Sequence, residues 1–259
     1  MKKNIKKPII LNEASLKRLM SRIDSDLISK TVIESWLSSE FKLAEEQEKN
    51  LNFRSSTLEK LSKIVNIEQD VDENKFKAWF SYKYEIKKEE NDFLKKLIKD
   101  NIIYLSSYNE QTLTVKFIGQ ILNKIEFRNK LVKDWYEYKI SCRLNDWTLS
   151  GEPDFFLASG RDEPKTPYFF LQEYKREVKF TGHPKYQVLS AMLAAIKLNN
   201  KNTIKGGYII GRYWNFVILD KLENGNYKYF VSKGFDCLDF IELKKIYIYL
   251  HAVKKLYCK

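Results

Sequence analysis

The stretch 151–176 constrains this chain more than any other. It reads GEPDFFLASG, then a polar RDEPKTP, then YFFLQEYKR. Two apolar, aromatic-rich runs separated by Gly, Asp and Pro predict paired strands joined by a loop. Each run also carries charged groups where a plain core strand carries none. Side chains alternate across a strand, so Glu173 and Lys175 are expected on one face and Gln172 and Tyr174 on the other. Asp154, directly after Pro153 on the preceding run, can reach the same volume from the neighbouring strand. Two carboxylates, one ammonium and the peptide carbonyl of Tyr174 form a hard-oxygen set with a cation beside it. Such a set suits Mg²⁺, which takes one or two carboxylates, keeps several waters and adds substrate phosphate oxygens. The chemistry it favours is attack of water on a phosphodiester.

Pro153-Asp154 followed by Glu173-Tyr174-Lys175, with Gly151 before the first pair and a hydrophobic run before the second, resembles the PD-(D/E)xK nuclease superfamily. The resemblance covers residues 107–231. It implies a restriction-endonuclease-like α/β fold: an α-β-β-β-α-β core whose central mixed sheet is flanked by helices, here with an N-terminal helical region. It also implies a Mg²⁺-dependent endonuclease acting on DNA, with Mn²⁺ able to substitute, in restriction or another defence against foreign DNA. Products in this superfamily usually bear 5′-phosphate and 3′-hydroxyl ends. Asp154, Glu173 and the carbonyl of Tyr174 would ligate the metal, and Lys175 would position or help deprotonate the attacking water. Glu110, on the helix before the first core strand, matches the place of an acidic residue that joins the metal cluster. Gln187, on the helix after the second motif, matches a polar residue that orients the Lys or a water. Taken singly, each residue has a plainer reading: Glu173 and Lys175 as a cross-strand pair, Asp154 as a turn residue, Gln187 as a surface amide. Two other functions stay open, a non-catalytic nucleic-acid-binding or assembly module on the same fold and an RNA-directed nuclease.

The charge balance fits a polyanionic partner. The net charge is +12, and Lys and Arg that neutralise phosphates release counterions and supply affinity independent of sequence. Residues 1–100 hold 21 basic and 18 acidic groups, whereas residues 101–259 hold 25 and 16, so the surplus lies in the half with the two motifs. Only eight of the 46 basic residues are Arg, which reads as the drift of an AT-rich genome. No apolar run approaches the length of a membrane span, and the basic start has no adequate apolar segment behind it, so the expected location is the cytoplasm. Cys142, Cys237 and Cys258 are odd in number and lack CxxC pairing, which predicts free thiols and argues against a disulfide framework, a zinc site or an iron–sulfur cluster. Cutting both strands with one site per chain would need a homodimer or two successive nicks, and a protein partner is equally open.

Along the chain, residues 1–104 read as a helical region and 105–259 as the nuclease-like domain. Segments 13–23, 27–48, 56–65 and 73–98 show apolar residues at helical spacing with almost no Gly or Pro. Phe76, Trp79, Phe80, Tyr82 and Tyr84 fit core packing or base stacking. A helix over 107–124 is expected with the stripe Leu113, Phe117, Ile121 and Ile125. Glu110 falls near the middle of that stripe, either as metal ligand or as the partner of Ser107 in a capping box. Residues 131–144 and 146–160 are expected as the first two core strands, joined by a turn at 144–146. Tyr136, Tyr138 and Ile140 alternate with Glu137 and Lys139 as a half-buried strand requires. Pro184 predicts a helix start, Ala191, Ala194 and Ala195 close packing on a sheet. Arg212 sits at a turn, there to meet a phosphate or only to build the turn. The final helix, 238–257, has Ile241, Ile246, Leu250, Val253 and Leu256 as its apolar side. His183 and His251 make no ligand or triad pattern.

Overall fold

The computed structural model describes residue 35 and residues 49–72, 74–177 and 182–258. The helices expected over 13–23 and 27–48 lie outside the described residues. The rest is a mixed α/β protein with one eight-stranded and one three-stranded sheet packed against helices. The strands are β1 (Lys49–Asn52), β2 (Ile67–Gln69), β3 (Lys133–Trp135), β4 (Ile140–Leu144), β5 (Trp147–Gly151), β6 (Phe155–Ser159), β7 (Lys165–Lys175), β8 (Thr203–Ile210), β9 (Tyr213–Lys221), β10 (Tyr227–Val231) and β11 (Phe235–Asp236). The helices are α1 (Leu58–Ser62), α2 (Lys77–Phe80), α3 (Lys88–Asn101), α4 (110–125), α5 (Pro184–Asn199) and α6 (Phe240–Ala252).

The large sheet runs β2-β10-β9-β8-β7-β6-β3, with β11 on β9. Strands β3, β6 and β7 pair antiparallel, and β7 pairs parallel with β8 across the connection through α5. A parallel pair needs such a long crossover, and a helix satisfies its own backbone over that length. Pro184 opens α5 as expected, and His183 caps it by accepting the Lys185 amide at its Nδ1 (3.2 Å). Ala191, Ala194 and Ala195 are fully buried, which lets the helix lie close on β7 and β8.

Alternation along the central strands divides the core in two. Phe155, Leu157, Phe170 and Tyr174 face the layer of α3, α4 and α6. Phe156, Ala158 and Leu171 face α5 and the small sheet. In α4, Leu113, Phe117, Ile121 and Ile125 are buried, the stripe its periodicity predicts. In α6, Ile246, Leu250 and Val253 are buried but Ile241 and Leu256 are exposed, so the apolar side is narrower than expected.

Two features differ from the sequence reading, and a third decides between two alternatives it left open. First, the described residues of 49–104 are not only helical, and they belong to the compact unit Lys49–Lys259. Strand β1 runs parallel to β5, and β2 runs parallel to β10 at the end of the large sheet. The segment expected as one helix over 73–98 divides into α2, an extended stretch and α3. Second, the turn at 144–146 joins β4 to β5, a hairpin that leaves the large sheet and pairs with β1 instead. Only Lys133–Trp135 of the expected first core strand pairs with β6. Tyr136 and Tyr138 are exposed in a turn where Glu137 adopts φ 48°, because the chain must change sheets there. Third, the aromatic group at 76–84 is packing material: Phe76 and Trp79 are buried, the Trp79 indole donates to Tyr249 O (2.8 Å), and Phe80 stacks on Tyr249.

The remaining candidates are structural. Arg212 forks onto Asp236, with Nε 2.8 Å from Oδ1 and its other bond running from Nη2 to Oδ2, so the turn reading holds and its guanidinium is occupied. His251 is buried against Tyr84 and near Glu90, and burial lowers its pKa to about 4. All three cysteines are free and buried.

Candidate active site

Strand β6 starts at Phe155, paired with Gln172 of β7. One step beyond that pair the amide of Tyr174 has lost its ladder partner on the β6 side. The carboxylate of Asp154 takes its place: Oδ2 accepts from Tyr174 N at 2.5 Å. Asp154 is thereby held against the end of β7. Its predecessor is held too, since Pro153 O accepts the amide of Glu137 (3.1 Å). Gly151 is required two residues earlier because the ring of Phe53 lies on it, and a Cβ there would sit 2.6 Å from that ring.

Alternation along β7 separates the faces as the sequence predicts. The Tyr174 hydroxyl donates to Gln172 Oε1 (3.2 Å), both on one side, while Glu173 emerges on the other. Glu173 is only 4 % exposed and shares a hydrogen bond with Asp154. Burial raises its pKa well above the ordinary carboxylate range, the Asp154 charge raises it further, and Lys175 and Arg54 oppose the shift. Burial also raises Asp154, against the pull of the Tyr174 amide and Lys175. Each carboxylate thus disfavours ionisation of the other, because two carboxylates in contact cannot both ionise cheaply.

Lys175, the last residue of β7, is nearly buried, and its Nζ lies 3.2 Å from Glu110 Oε2. Glu110 is the first residue of α4. The expected capping box does not form: Asn109 is the cap, accepting the Thr112 amide (2.8 Å), and the Ser107 hydroxyl donates to Tyr104 O instead. Nor is Glu110 buried, since its side chain is 45 % exposed. At the start of the helix, its stripe position opens onto the end of the sheet rather than the core. Directly after it, α4 contains a π-helical turn, Thr114–Ile118. Such a turn widens a helix locally and often occurs where a helix lines a site. Here Thr114 and Val115, with Glu110, Tyr136, Glu137, Asp154 and Tyr174, line an open cleft of about 430 Å³.

The structure thus brings together Glu110, Asp154, Glu173, Tyr174 and Lys175. It does not bring Gln187 onto Lys175: the Gln187 amide donates to Arg54 O (3.1 Å), while its Oε1 is buried without a partner among the described residues. Nor do three His, Cys, Asp or Glu groups converge on one point among the described residues, because Glu110 is spent on Lys175. The residues that could hold a divalent cation are Asp154 and Glu173, two carboxylates in contact. That is enough for Mg²⁺, which needs one or two carboxylates and fills its other positions with water and phosphate. Arg54 is the residue that sequence reasoning missed. It lies far before the motifs, in NLNFRSS, and its only signal was being an Arg in a chain that uses Lys almost throughout.

No protein-family model matches the chain, and no curated protein matches it in sequence. Among the described residues no helix is long and apolar enough to cross a membrane.

Proposed function

We propose that this protein is a Mg²⁺-dependent nuclease that hydrolyses phosphodiester bonds of DNA, on a restriction-endonuclease-like core. One observation carries the reading: Asp154, which lines an open cleft of about 430 Å³, lies against the buried Glu173 at the strand end that also carries Lys175. The order α4, β3, β6, β7, α5, β8, with β7 and β8 parallel, supports the α-β-β-β-α-β core, the β4–β5 hairpin being an excursion from it.

In this reading Asp154 and Glu173 hold the ion, and the Tyr174 amide keeps Asp154 aimed at it. Bound there, Mg²⁺ supplies Lewis-acid polarisation of the phosphate and activation of water. Lys175, anchored by Glu110, presents an ammonium to the charge that develops on the attacking oxygen and the phosphate. The surrounding burial strengthens that interaction by excluding water. Cleavage leaves a 5′-phosphate and a 3′-hydroxyl.

The experiment offers the purified protein mixed DNA and RNA pools with Mg²⁺ or Mn²⁺, with Asp154→Ala as control. Metal-dependent cleavage of DNA, lost in the variant, is expected. Cleavage of RNA alone would reassign the polymer. Cleavage of neither at saturating metal would leave a binding or assembly module.

A further inference from the structure

The cleft that Asp154 lines also carries an exposed aromatic residue. Tyr136 is part of the same lining and is 41 % exposed. Its place is fixed by the chain on both sides of it. Trp135, just before it, is the last rung of β3 on β6, opposite Phe156. Glu137, just after it, turns at φ 48° and donates its amide to Pro153 O (3.1 Å), the carbonyl that precedes Asp154. The Tyr136 ring forms a T-shaped pair with Phe155, the residue that follows Asp154, at 5.3 Å between centroids. Tyr136 is thus tied to both neighbours of the carboxylate.

The hydroxyl is the covered end of the side chain. Burial, and then the Asp134 carboxylate, push its pKa up to about 12, and Asp134 is itself paired with Arg128 (3.5 Å). A phenol in that state is neutral and does not repel a phosphate strand. Val115, exposed on the π-helical turn of α4, adds a second apolar side chain to the lining. Phosphate recognition alone explains neither residue. A flat ring beside a phosphate site fits the base that the phosphate carries, since every base has a π-face and stacking on an aromatic ring is tolerant of sequence. Within a duplex both faces of a base are covered by its neighbours, so only an unpaired base can offer one.

We propose that Tyr136 is a substrate-contacting residue whose ring stacks an unpaired base of the strand under attack, and that the site accordingly takes single-stranded DNA, or unpaired ends and flaps, in preference to intact duplex. Because ring and carboxylate are fixed to each other through Pro153 and Phe155, the stack holds the adjoining phosphate at a set offset from Asp154, which is how a positioned substrate lowers the barrier. The inference rests on the nuclease reading for the role of that phosphate; stacking itself does not require cleavage.

Tyr136→Phe, Tyr136→Leu and Tyr138→Leu test it, each made in the full chain. Tyr138 is the control, since it is equally exposed on the same turn but packs on Trp135 (5.6 Å). The measurements are the melting temperature, anisotropy binding of a labelled oligothymidine and of a duplex of equal length in Ca²⁺, photocrosslinking of a 5-iododeoxyuridine oligonucleotide with the crosslinked residue identified by mass spectrometry, and single-turnover cleavage of both DNA forms. The wild type is expected to prefer the single strand in binding and cleavage and to crosslink through Tyr136. Tyr136→Phe keeps the ring and should match it. Tyr136→Leu keeps apolar bulk but no π-face, and should bind the single strand about 5- to 150-fold more weakly with duplex binding unchanged. Tyr138→Leu should behave as wild type. Wild-type single-strand affinity in Tyr136→Leu, or cleavage of duplex at least as fast as of single strand, overturns the inference and leaves the nuclease reading standing. A Tyr136→Phe variant as weak as Tyr136→Leu also overturns it, by assigning the effect to the hydroxyl. If Tyr136→Leu melts well below the wild type, the wild-type crosslink decides: on Tyr136 it supports the stack, elsewhere it overturns it. A wild type that crosslinks through Tyr136 but cleaves neither polymer supports the stack and ends the nuclease reading instead.

Discussion

Replacing Asp154 by Asn should make the metal-free protein more stable near neutral pH while abolishing cleavage. The amide is nearly isosteric. Its oxygen can still accept from the Tyr174 amide, and its nitrogen can donate to Glu173. What disappears is one negative charge beside another. Two like unit charges about 4 Å apart repel by about 4 kcal/mol at an effective dielectric constant of about 20. The lost attraction of Asp154 to Lys175 offsets part of this, which leaves a gain on the order of 1 to 3 kcal/mol. At about 2 to 4 °C per kcal/mol for a domain of this size, the rise in melting temperature is measurable.

The dependence on pH has a definite sign. Both carboxyl groups are held above their ordinary values of 3.8 and 4.5, so the folded protein retains protons that the unfolded chain releases. That contribution is fully present below the unfolded values and is lost as pH rises through them toward the folded ones. The advantage of the Asn variant should therefore be small near about pH 4 and grow toward about pH 8. Mg²⁺ should reverse the ranking, because an ion at about a hundred times its Kd adds about 2.7 kcal/mol to the wild type and little to a variant lacking one ligand. Urea and thermal melts across this range, with chelator and then with Mg²⁺, measure both effects. A variant less stable than the wild type in chelator near pH 8, or a difference that does not change with pH, would refute the reasoning.

Lys175→Ala should slow single-turnover cleavage on the order of 10²- to 10⁴-fold while calorimetric metal affinity changes little, and Lys175→Arg should not restore the full rate. Glu110→Gln should impair cleavage by releasing Lys175 but shift urea midpoints little, since a half-exposed ion pair is worth about 0 to 1 kcal/mol. Asn109→Ala, one residue earlier, should do the opposite, costing about 0.5 to 2 kcal/mol of stability with cleavage retained. A chain of 105–259 should fail to give a cooperative melt, because it lacks Leu51, Phe53, Leu61, Trp79 and Leu94 from the two cores.

Long elements with one clear period were legible in the sequence. The stripe of α4, the start and flat alanine face of α5 and the alternation of β7 all stand where the residues put them, since each is set by local geometry over many positions. Short elements were not. Strands β1 and β2 have four and three residues, too few to show a period, and they exist only because β5 and β10 offer them edges. Tyr136 and Tyr138 alternate like a strand, but the chain changes sheets there. The Ser107-to-Glu110 spacing reads as a capping box and loses to Asn109, because an Asx cap two residues later satisfies the helix and frees Glu110 for Lys175. The motif residues were legible as a set; Arg54 and its link to Gln187 were not, since nothing local ties residue 54 to residue 187.

A purely structural account of the Asp154–Glu173 pair meets a physical difficulty. Asp154 does structural work as acceptor for the Tyr174 amide, but an Asn at that position would accept the same hydrogen bond without a charge. Glu173, only 4 % exposed, lies where water is largely excluded, with Asp154 against it at the cleft wall. Side by side they cost stability whenever one of them ionises. The nearby Lys175 reduces that cost, yet it is itself paired with Glu110. In the proposed reading a divalent ion held by the two carboxylates offsets that cost and presents the phosphate to Lys175.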